Sequence, residues 1–358
     1  METLQAPEIV ASPDLVDAAW MDAALRAAGV LDGARVVDVT CRPVGNGLVS
    51  DSFRFTLTYE GDAPDAPKTV VGKFPDEASL AAVGGFFYMR EVLFYSEFAH
   101  RTSITKPRPY FAKIDVPTGN FTLILEDMGP ARPGDQLEGC SLDDARTAML
   151  EAAALHAPFW RDAALGEVEW LAPWMPATIP YLEPAVAAFK ANYAGQVEPE
   201  ILDFLDRFPA AARAMITDGD GPLTIQHCDF RLDNILFDTQ GGAQRMATLD
   251  WQTVIHGHGL ADVAYFLSTG IDPDFRRAHE KELLRLYHDE LVRAGVTDYD
   301  FDQCWLDYRR FTIFGILVGV YSFLVVPRSE RGDAVFLRMA RDSCIQAMDH
   351  QTFELWGA

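Results

Sequence analysis

The segment HCDFRLDN, residues 227–234, decides which fold this chain can adopt. It lies between the apolar runs LTIQ and ILFD, so we expect its polar side chains on a loop at the ends of strands. Within it, the carboxylate of Asp229 is followed five residues later by the amide of Asn234. A carboxylate can accept a hydrogen bond from an attacking hydroxyl, and an amide oxygen is a hard ligand for Mg²⁺. The pattern therefore suits phosphoryl transfer.

A second carboxylate, Asp250, ends the apolar run MATL sixteen residues after Asn234. The pair Gly241-Gly242 is placed to turn a hairpin between NILFD and RMATLDW, which can return Asp250 to the loop to hold a metal against nucleotide phosphates. Singly, Asp250 could be a cap or turn residue, and His227 would more often be a satisfied core histidine. As an ordered set, they match the H-x-D-x-x-x-x-N loop and the later metal-binding Asp of protein kinases.

Upstream, Lys73 lies inside the apolar run TVVGKF and is one of only six lysines. A lone ammonium in a strand costs desolvation energy unless an anion pairs with it, and nucleotide phosphates and a helix carboxylate would supply that pairing. Glu91, in the middle of FYMREVLFY, is a better partner than Glu97. The alternative is an edge-strand lysine whose ammonium reaches water.

A glycine-containing turn, GNGLVSDS at residues 45–52, lies between two extended runs ahead of that lysine. Glycines permit backbone amides to approach phosphate oxygens closely, so we expect nucleotide contacts from Gly45, Asn46, Gly47 and Ser50. The turn matches neither G-x-x-x-x-G-K-[ST] nor G-x-G-x-x-G, and an ordinary hairpin turn is the alternative.

The order of extended and helical patterns predicts an α+β chain with two lobes. The runs RVVDVTCRPV, FRFTLTYE, KTVVGKFP and FTLILEDM indicate a small antiparallel sheet, with a helix over residues 85–98. The turn-forming GPARPGD after Met128 marks the boundary between residues 1–128 and residues 129–358. The second part is mostly helical, and its predicted helices are Leu142–His156, Tyr181–Tyr193, Pro199–Ile216, Phe275–Ala294 and Phe301–Val326. A cleft between two such lobes is a common place for a ligand.

Composition excludes several classes of protein. Among 358 residues, 53 are acidic and 30 are Lys or Arg, so the formal charge of −23 argues against nucleic acid or anionic lipid as a partner. Five cysteines without a C-x-x-C pair favour reduced thiols in a cytoplasmic protein. The apolar run from Phe311 to Val326 is shorter than the roughly 20 residues of a membrane span, which predicts a buried helix. Oligomeric state is left open.

Together these motifs resemble the aminoglycoside phosphotransferase and choline-kinase-like superfamily, whose members share the protein-kinase fold. The segments REVLFYSEFA, LILEDMG, LHAPFW, HCDFRLDNILF and TLDWQTV are similar to its ecdysteroid kinase-like branch. The likeness spans about residues 40–270. One departure is Cys228, where many relatives have glycine, and we expect it to affect only loop packing.

The resemblance implies a role for each matched residue. In the first lobe, Lys73 would contact the α and β phosphates of ATP, Glu91 would be its ion-pair partner, and Glu126 and Met128 would present a backbone carbonyl and amide to adenine, with Leu125 behind the base. In the second, His227 would open the catalytic loop and Asp229 would be the base or hydroxyl-orienting group, while Asn234 and Asp250 would bind Mg²⁺. Asp262 would brace the loop backbone, and a simple helix cap is equally plausible for it.

The sequence thus predicts an ATP- and Mg²⁺-dependent phosphotransferase acting on a hydroxyl of a small organic molecule. A protein kinase fits less well because no D-F-G or A-P-E segment follows Asp250. The alternative is a catalytically silent, pseudokinase-type nucleotide- or ligand-binding protein. The aromatic-rich segment Leu155–Tyr181 could line a pocket for a flat, apolar alcohol or simply pack the core. The acceptor, its modified hydroxyl, and ATP against GTP stay open.

Overall fold

The computed structural model describes residues 6–44, 50–76, 85–218, 220–326 and 328–358. The chain divides into two compact units. The first comprises Met1–Arg101, Lys106–Pro130 and Leu249–Val254, and the second comprises Thr102–Thr105, Ala131–Thr248 and Ile255–Ala358. The boundary predicted after Met128 places Leu249–Val254 in the second domain, whereas in the structure this segment packs with the first unit.

A five-stranded antiparallel sheet forms the first unit. Its strands follow the spatial order β1-β2-β3-β5-β4 and are β1 (Arg35–Pro43), β2 (Ser50–Glu60), β3 (Thr69–Pro75), β4 (Pro109–Asp115) and β5 (Asn120–Glu126). The four extended runs seen in the sequence therefore form strands, and the α+β prediction is confirmed. Strand β4 was not predicted, because it begins at a proline. It lies at the sheet edge, where a proline removes no needed hydrogen bond.

Two helices accompany this sheet. Helix α1 (Ala18–Ala27) begins after Asp17, whose carboxylate accepts a hydrogen bond from the Trp20 amide at 2.7 Å. Its buried side chains join a core with the sheet residues Phe55 and Val70. Helix α2 (Phe86–Leu93) continues as a wider π turn over Phe94–Phe98, so the predicted helix at residues 85–98 is present with a change of winding.

The second unit is mostly helical. Its helices are α3 (Leu142–His156), α4 (Leu182–Tyr193), α5 (Pro199–Phe204), α6 (Phe208–Thr217), α7 (Gly259–Thr269), α8 (Pro273–Arg293), α9 (Phe301–Phe311), α10 (Ile313–Val325), α11 (Glu330–Asp349) and α12 (Thr352–Leu355). Helix α7 lies at the centre, because every one of its residues is buried. Within the described ranges, no helix has the length and apolarity needed to cross a membrane.

Two predicted helices are each broken in two. The Pro199–Ile216 pattern splits between α5 and α6, because Pro209 lacks an amide hydrogen and its ring would clash with a carbonyl one turn back. The Phe301–Val326 pattern splits at Thr312. There the Arg309 carbonyl accepts hydrogen bonds from the hydroxyls of Thr312 at 3.1 Å and Thr352 at 2.9 Å. These hydroxyls compete with the backbone amide that would otherwise continue the helix. The expectation of a buried apolar helix is confirmed by α10.

Short strands carry the polar loop of the second unit. They are β6 (Arg132–Pro133), β7 (Thr224–Gln226), β8 (Ile235–Asp238), β9 (Gln244–Thr248) and β10 (Ile255–Gly257). Strands β8 and β9 form the predicted hairpin, whose turn contains Gly241 and Gly242 at positive φ. Strand β7 pairs with β10 and runs directly into residues 227–234, which lead into β8. The loop therefore connects two strand ends, as the sequence indicates.

Candidate active site

The first unit contains a buried ion pair between Lys73 and Glu91. Lys73 lies on β3 and Glu91 on α2, and Nζ is 2.5 Å from Oε2. The two side chains are only 12% and 2% exposed. Next to the lysine, Gly72 has no room for a side chain, since a Cβ there would lie 2.6 Å from the Phe55 ring. The predicted pairing is thus present in the structure, and its role in nucleotide binding stays a prediction.

A third charge, Asp250, belongs to this cluster. Burial alone would lower the pKa of the Lys73 ammonium, but the charges of Glu91 and Asp250 outweigh burial and raise that pKa above its usual value. Lys73 therefore stays protonated at any physiological pH. Burial raises the pKa of the Glu91 carboxyl, and the Lys73 charge and a hydrogen bond from Gln252 oppose that rise.

The segment that carries Asp250 is fastened to helix α2 and its extension. The indole of Trp251 stacks on the Phe94 ring with centroids 3.9 Å apart and planes 9° apart. The guanidinium of Arg90, which is fully buried, donates a hydrogen bond to the Val254 carbonyl. These contacts explain why Leu249–Val254 packs with the first unit, and they hold Asp250 at a fixed place beside the ion pair.

Asp250 has two features that fit a metal ligand. Its backbone is left-handed with φ of 63°, a conformation that is uncommon outside glycine and persists where the surroundings enforce it. Its Oδ1 atom is buried and has no hydrogen-bonding partner within the described part of the chain. A buried carboxylate oxygen without a donor is costly unless a cation binds it. The residues present therefore fit a hard divalent cation such as Mg²⁺ at Asp250.

In the second unit, Asp229 lies at the centre of a hydrogen-bonded cluster. The Asn234 amide nitrogen donates to Asp229 Oδ2 at 2.7 Å and to the Asp229 carbonyl at 2.9 Å. Because the NH₂ group is used in this way, the Asn234 carbonyl oxygen is the atom left for a cation. Among the described residues, no group of three or more His, Cys, Asp and Glu side chains could hold a metal on its own. An Mg²⁺ ion here would keep several waters.

Two further contacts to Asp229 were not predicted. Arg231 Nε donates to Oδ1 at 2.9 Å, and the Tyr265 hydroxyl donates to the same oxygen at 3.1 Å. Burial alone would lower the pKa of the Arg231 guanidinium, but the charges of Asp229 and Asp233 raise it. The loop motif itself contains Arg231, two residues after Asp229, so a charge count of the loop could have found it. Nothing in the sequence points to Tyr265, which comes from a helix without a polar face.

A buried carboxylate, Asp262 on α7, braces the loop backbone. It accepts hydrogen bonds from the His227 amide at 2.6 Å and the Cys228 amide at 2.9 Å, and His156 Nε2 lies 3.3 Å from it. The structure thus favours the bracing role over a simple helix cap. Cys228 has φ of 66°, a left-handed conformation that glycine adopts freely and that other residues adopt at a cost.

The ring of His227 is fully buried under the loop. Its Nδ1 accepts a hydrogen bond from the Asp229 amide at 3.3 Å, so the ring holds the backbone next to Asp229. The catalytic role predicted for His227 is not tested by this contact and stays a prediction.

The connector residues expected to contact adenine follow strand β5. Leu125 and Met128 are buried, and the backbone amide of Glu126 donates a hydrogen bond to the Arg108 carbonyl at 2.8 Å. Gly45, Asn46 and Gly47 lie outside the described residues, as does the side chain of Ser50, whose backbone begins β2. Nucleotide contacts at all of these positions stay predictions.

The aromatic-rich segment between Leu155 and Tyr181 is mixed in character. Phe159 is fully buried and belongs to the core, whereas Tyr181 is 52% exposed. Core packing thus explains one end of the segment, and an acceptor pocket at the other end stays a prediction.

In sum, the first unit brings Lys73, Glu91 and Asp250 together, and the second brings His227, Asp229 and Asn234 together. Comparisons with known proteins address the family and the fold of the chain. Residues 169–296 match the model of the ecdysteroid kinase-like family. That range includes the loop and Asp250 and is narrower than the stretch of about residues 40–270 expected from the motifs.

Solved structures of small-molecule kinases share the fold. Choline kinase from Cryptosporidium parvum aligns with a TM-score of 0.54 and 10% identity, over 89% of this chain and 92% of that one. Plasmodium vivax ethanolamine kinase aligns with a TM-score of 0.51 and 13% identity, over 86% and 82% of the two chains. The GDP complex of aminoglycoside 2′-phosphotransferase-IIIa aligns with a TM-score of 0.51 and 12% identity, over 86% and 93%. The resemblance is confirmed: this chain has the fold of protein-kinase-like small-molecule kinases and, over residues 169–296, matches the ecdysteroid kinase-like family.

Proposed function

We propose that this protein is an ATP- and Mg²⁺-dependent phosphotransferase that phosphorylates a hydroxyl group of a small organic molecule. The observation that carries the proposal is the buried Asp250 Oδ1 atom. It has no hydrogen-bond donor among the described residues, and it belongs to the same cluster as the Lys73–Glu91 pair. If Asp250 only stabilised the fold, its Oδ1 atom would stay buried without a donor or a cation.

The charges of the first cluster suit a metal–triphosphate. One ammonium is shared by two carboxylates, so the cluster has an excess of one negative charge when all three groups are ionised. Asp250 in the first unit and Asn234 in the second each offer an oxygen of the kind that Mg²⁺ prefers. Bound Mg²⁺ would neutralise charge that develops on the phosphates during transfer. Lys73, which stays protonated, supplies a second positive charge for phosphate oxygens.

Asp229 supplies the chemistry on the acceptor side. Its carboxylate accepts a hydrogen bond from the acceptor hydroxyl and orients the oxygen for in-line attack on the γ-phosphorus. As the new P–O bond forms, the bond from phosphorus to the ADP oxygen breaks, and the hydroxyl proton passes to Asp229. The proton then leaves to water. The protein does little covalent work, so positioning and electrostatics dominate.

A small acceptor is favoured over a protein substrate. The three similar structures are named as kinases of choline and ethanolamine and as a phosphotransferase of aminoglycosides. In this chain, DWQ at residues 250–252 runs within a few residues into β10, which leaves little room for an activation loop. We further propose that the protein is cytoplasmic and has neither nucleic acid nor membrane as a partner, in line with its charge of −23.

A phosphate-transfer screen tests the proposal. The purified protein is incubated with Mg²⁺ and γ-labelled ATP or GTP, because one similar structure is a GDP complex. Acceptors are grouped as aminoglycosides, sterols, cholines and hydroxy acids, and Asp229→Asn is the matched control. We expect label to reach at least one alcohol class with the wild type and not with the control. Nucleotide binding without transfer to any class would contradict the proposal and favour the silent binding protein.

A further inference from the structure

The two oxygens of the Asp229 carboxylate have different surroundings. Oδ1 accepts two hydrogen bonds, from Arg231 Nε at 2.9 Å and from the Tyr265 hydroxyl at 3.1 Å. Oδ2 accepts one, from the Asn234 amide at 2.7 Å. A carboxylate has about four lone-pair directions, two on each oxygen. Within the described part of the chain, Oδ1 is therefore saturated and Oδ2 has one direction open.

Tyr265 is built to hold its hydroxyl in one place. Its side chain is fully buried on α7, and its ring packs edge-on against Phe314 with centroids 5.7 Å apart. Burial, together with the nearby Asp229 charge, raises the pKa of the Tyr265 phenol well above its usual value. The phenol therefore keeps its proton and acts as a permanent donor. A buried hydroxyl that lost this partner would be left costly and unsatisfied.

Arg231 is held from its far end as well. Its NH1 group donates to Asp233 Oδ2 at 2.8 Å. The other oxygen of Asp233, Oδ1, accepts hydrogen bonds from the backbone amide of Gln136 at 2.9 Å and from Arg331 NH2 at 2.8 Å. The planar guanidinium thus spans two carboxylates, and Asp233 is itself fixed by two groups from outside the loop. A lysine has no rigid fork and could not make both contacts at once.

We propose that Tyr265 and Arg231 are positioning residues that saturate Oδ1 of Asp229 and so leave Oδ2 as the oxygen that receives the proton of the acceptor hydroxyl. This inference rests on the proposed function. In the transfer step, the acceptor O–H bond breaks as its oxygen bonds to phosphorus and the ADP oxygen departs. The proton goes to Oδ2, while the two donors keep Oδ1 from competing for it. The carboxylate consequently has one orientation, with a single oxygen directed at the acceptor.

The central test is the variant Tyr265→Phe, which removes one hydroxyl and keeps the ring against Phe314. We expect kcat to fall roughly 10-fold, in line with the loss of one hydrogen bond to a charged group, while KM for the nucleotide is unchanged. Tyr308→Phe is the matched control, because Tyr308 is equally buried in the second unit and its hydroxyl bonds to Glu280 rather than to the loop. We expect that control to keep the wild-type kcat. Unchanged kcat in Tyr265→Phe would overturn the inference.

Arg231→Lys separates charge from geometry. Because only the guanidinium can bridge Asp229 and Asp233, we expect the lysine to leave kcat at least roughly 10-fold below the wild type. A wild-type kcat in Arg231→Lys would show that charge alone suffices and would overturn the positioning role of Arg231.

A thermal double-mutant cycle tests the contact without any turnover. Tyr265→Phe should lower the unfolding midpoint by about 2 °C in the wild-type background and by clearly less in the Asp229→Ala background. Equal shifts in both backgrounds would show that Tyr265 does not act through Asp229. If the cycle shows coupling while no acceptor is ever phosphorylated, the proposed function fails and the contact stands.

Discussion

The two charged clusters differ in how their carboxylates are compensated. In the first unit, Glu91 and Asp250 share the single ammonium of Lys73, and Asp250 Oδ1 has no donor among the described residues. In the second unit, Asp229 receives donors from three side chains, one of which is Arg231. Among the described residues, the first cluster thus has a buried carboxylate oxygen without a donor, whereas both carboxylate oxygens of Asp229 have donors.

This difference suits the first cluster to binding a cation and the second cluster to orienting an acceptor hydroxyl. A cluster with an uncompensated buried oxygen gains free energy when a cation enters, so it suits a metal and the phosphates that come with it. A carboxylate whose two oxygens already accept hydrogen bonds gains less from a cation, but its fixed geometry suits the orientation of an acceptor hydroxyl. Variants of the two clusters test whether one binds the metal and phosphates while the other orients the hydroxyl.

The largest effect is expected from Asp229→Ala. Removing a general base or orienting carboxylate typically costs 10²–10⁴-fold, so we expect kcat to fall by about that factor. Affinity for ATP in the presence of Mg²⁺, measured by calorimetry, should stay within about 3-fold of wild type, because the first cluster is intact and Asn234 keeps its hydrogen bond to the backbone carbonyl of residue 229. Near-normal turnover in this variant would remove Asp229 from the mechanism.

Lys73→Met should strongly destabilise the first unit. It leaves the buried Glu91 and the half-buried Asp250 without their ammonium, and breaking one partner of a buried pair costs about 3–5 kcal/mol. Denaturant unfolding measures the loss. Lys113→Met, at an exposed position of the edge strand β4 in the same sheet, is the matched control and should change stability by less than about 0.5 kcal/mol. Equal losses of unfolding free energy in the two variants would mean that the Lys73–Glu91 pair stabilises the fold no more than an exposed lysine does.

Glu280 of α8 shows how a buried carboxylate with several donors behaves. It accepts hydrogen bonds from Arg276 at 2.6 Å and Tyr308 at 2.7 Å, and burial is outweighed by His350 and Arg276, which lower its pKa to about 2. Since the folded pKa lies below the unfolded value of 4.5, its contribution is fully present above pH 4.5 and is lost as the pH falls towards 2.

The corresponding variant is Glu280→Gln. At pH 7 it should lower the free energy of unfolding by about 2–3 kcal/mol, and the difference from wild type should shrink between about pH 5 and pH 2. Unfolding curves at several pH values measure this. A difference that does not depend on pH would show that the Glu280 charge adds nothing to stability.

Asp250→Asn should have opposite effects on binding and on stability. We expect the gain in ATP affinity caused by Mg²⁺ to fall at least about 10-fold, because a charged ligand is lost. Without Mg²⁺, the unfolding midpoint should be unchanged or slightly higher, since a neutral amide relieves the excess negative charge and asparagine tolerates positive φ. A drop in stability with unchanged Mg²⁺ dependence would indicate a structural role for Asp250 and contradict the metal assignment.

Local patterns predicted much of the sheet and of the polar loop. Strands β1 to β3 are bounded by turn residues, and the loop at residues 227–234 is bounded by apolar strands, so their existence follows from short-range signals. The Lys73–Glu91 pairing was predictable because a lysine in an apolar strand needs an anion. Strand β4 was missed because it begins at a proline. The break at Thr312 was missed because side-chain hydrogen bonds to the Arg309 carbonyl leave no periodic pattern in the sequence.

Contacts over long sequence separations could not be predicted in the same way. Tyr265 lies 36 residues from Asp229 on a helix that is buried on all sides, so no amphipathic pattern shows which side chain meets the loop. The attachment of Leu249–Val254 to the first unit depends on the Phe94–Trp251 stack, which joins residues far apart in the chain. Such contacts are set by tertiary packing.

The most direct test of the account is a calorimetric titration of the wild-type protein with ATP, once with Mg²⁺ and once with a chelator. If the first cluster is a metal–nucleotide site, ATP binds with one-to-one stoichiometry and at least about 10-fold more tightly when Mg²⁺ is present. ATP that fails to bind, or that binds with the same affinity in both conditions, would contradict the central claim.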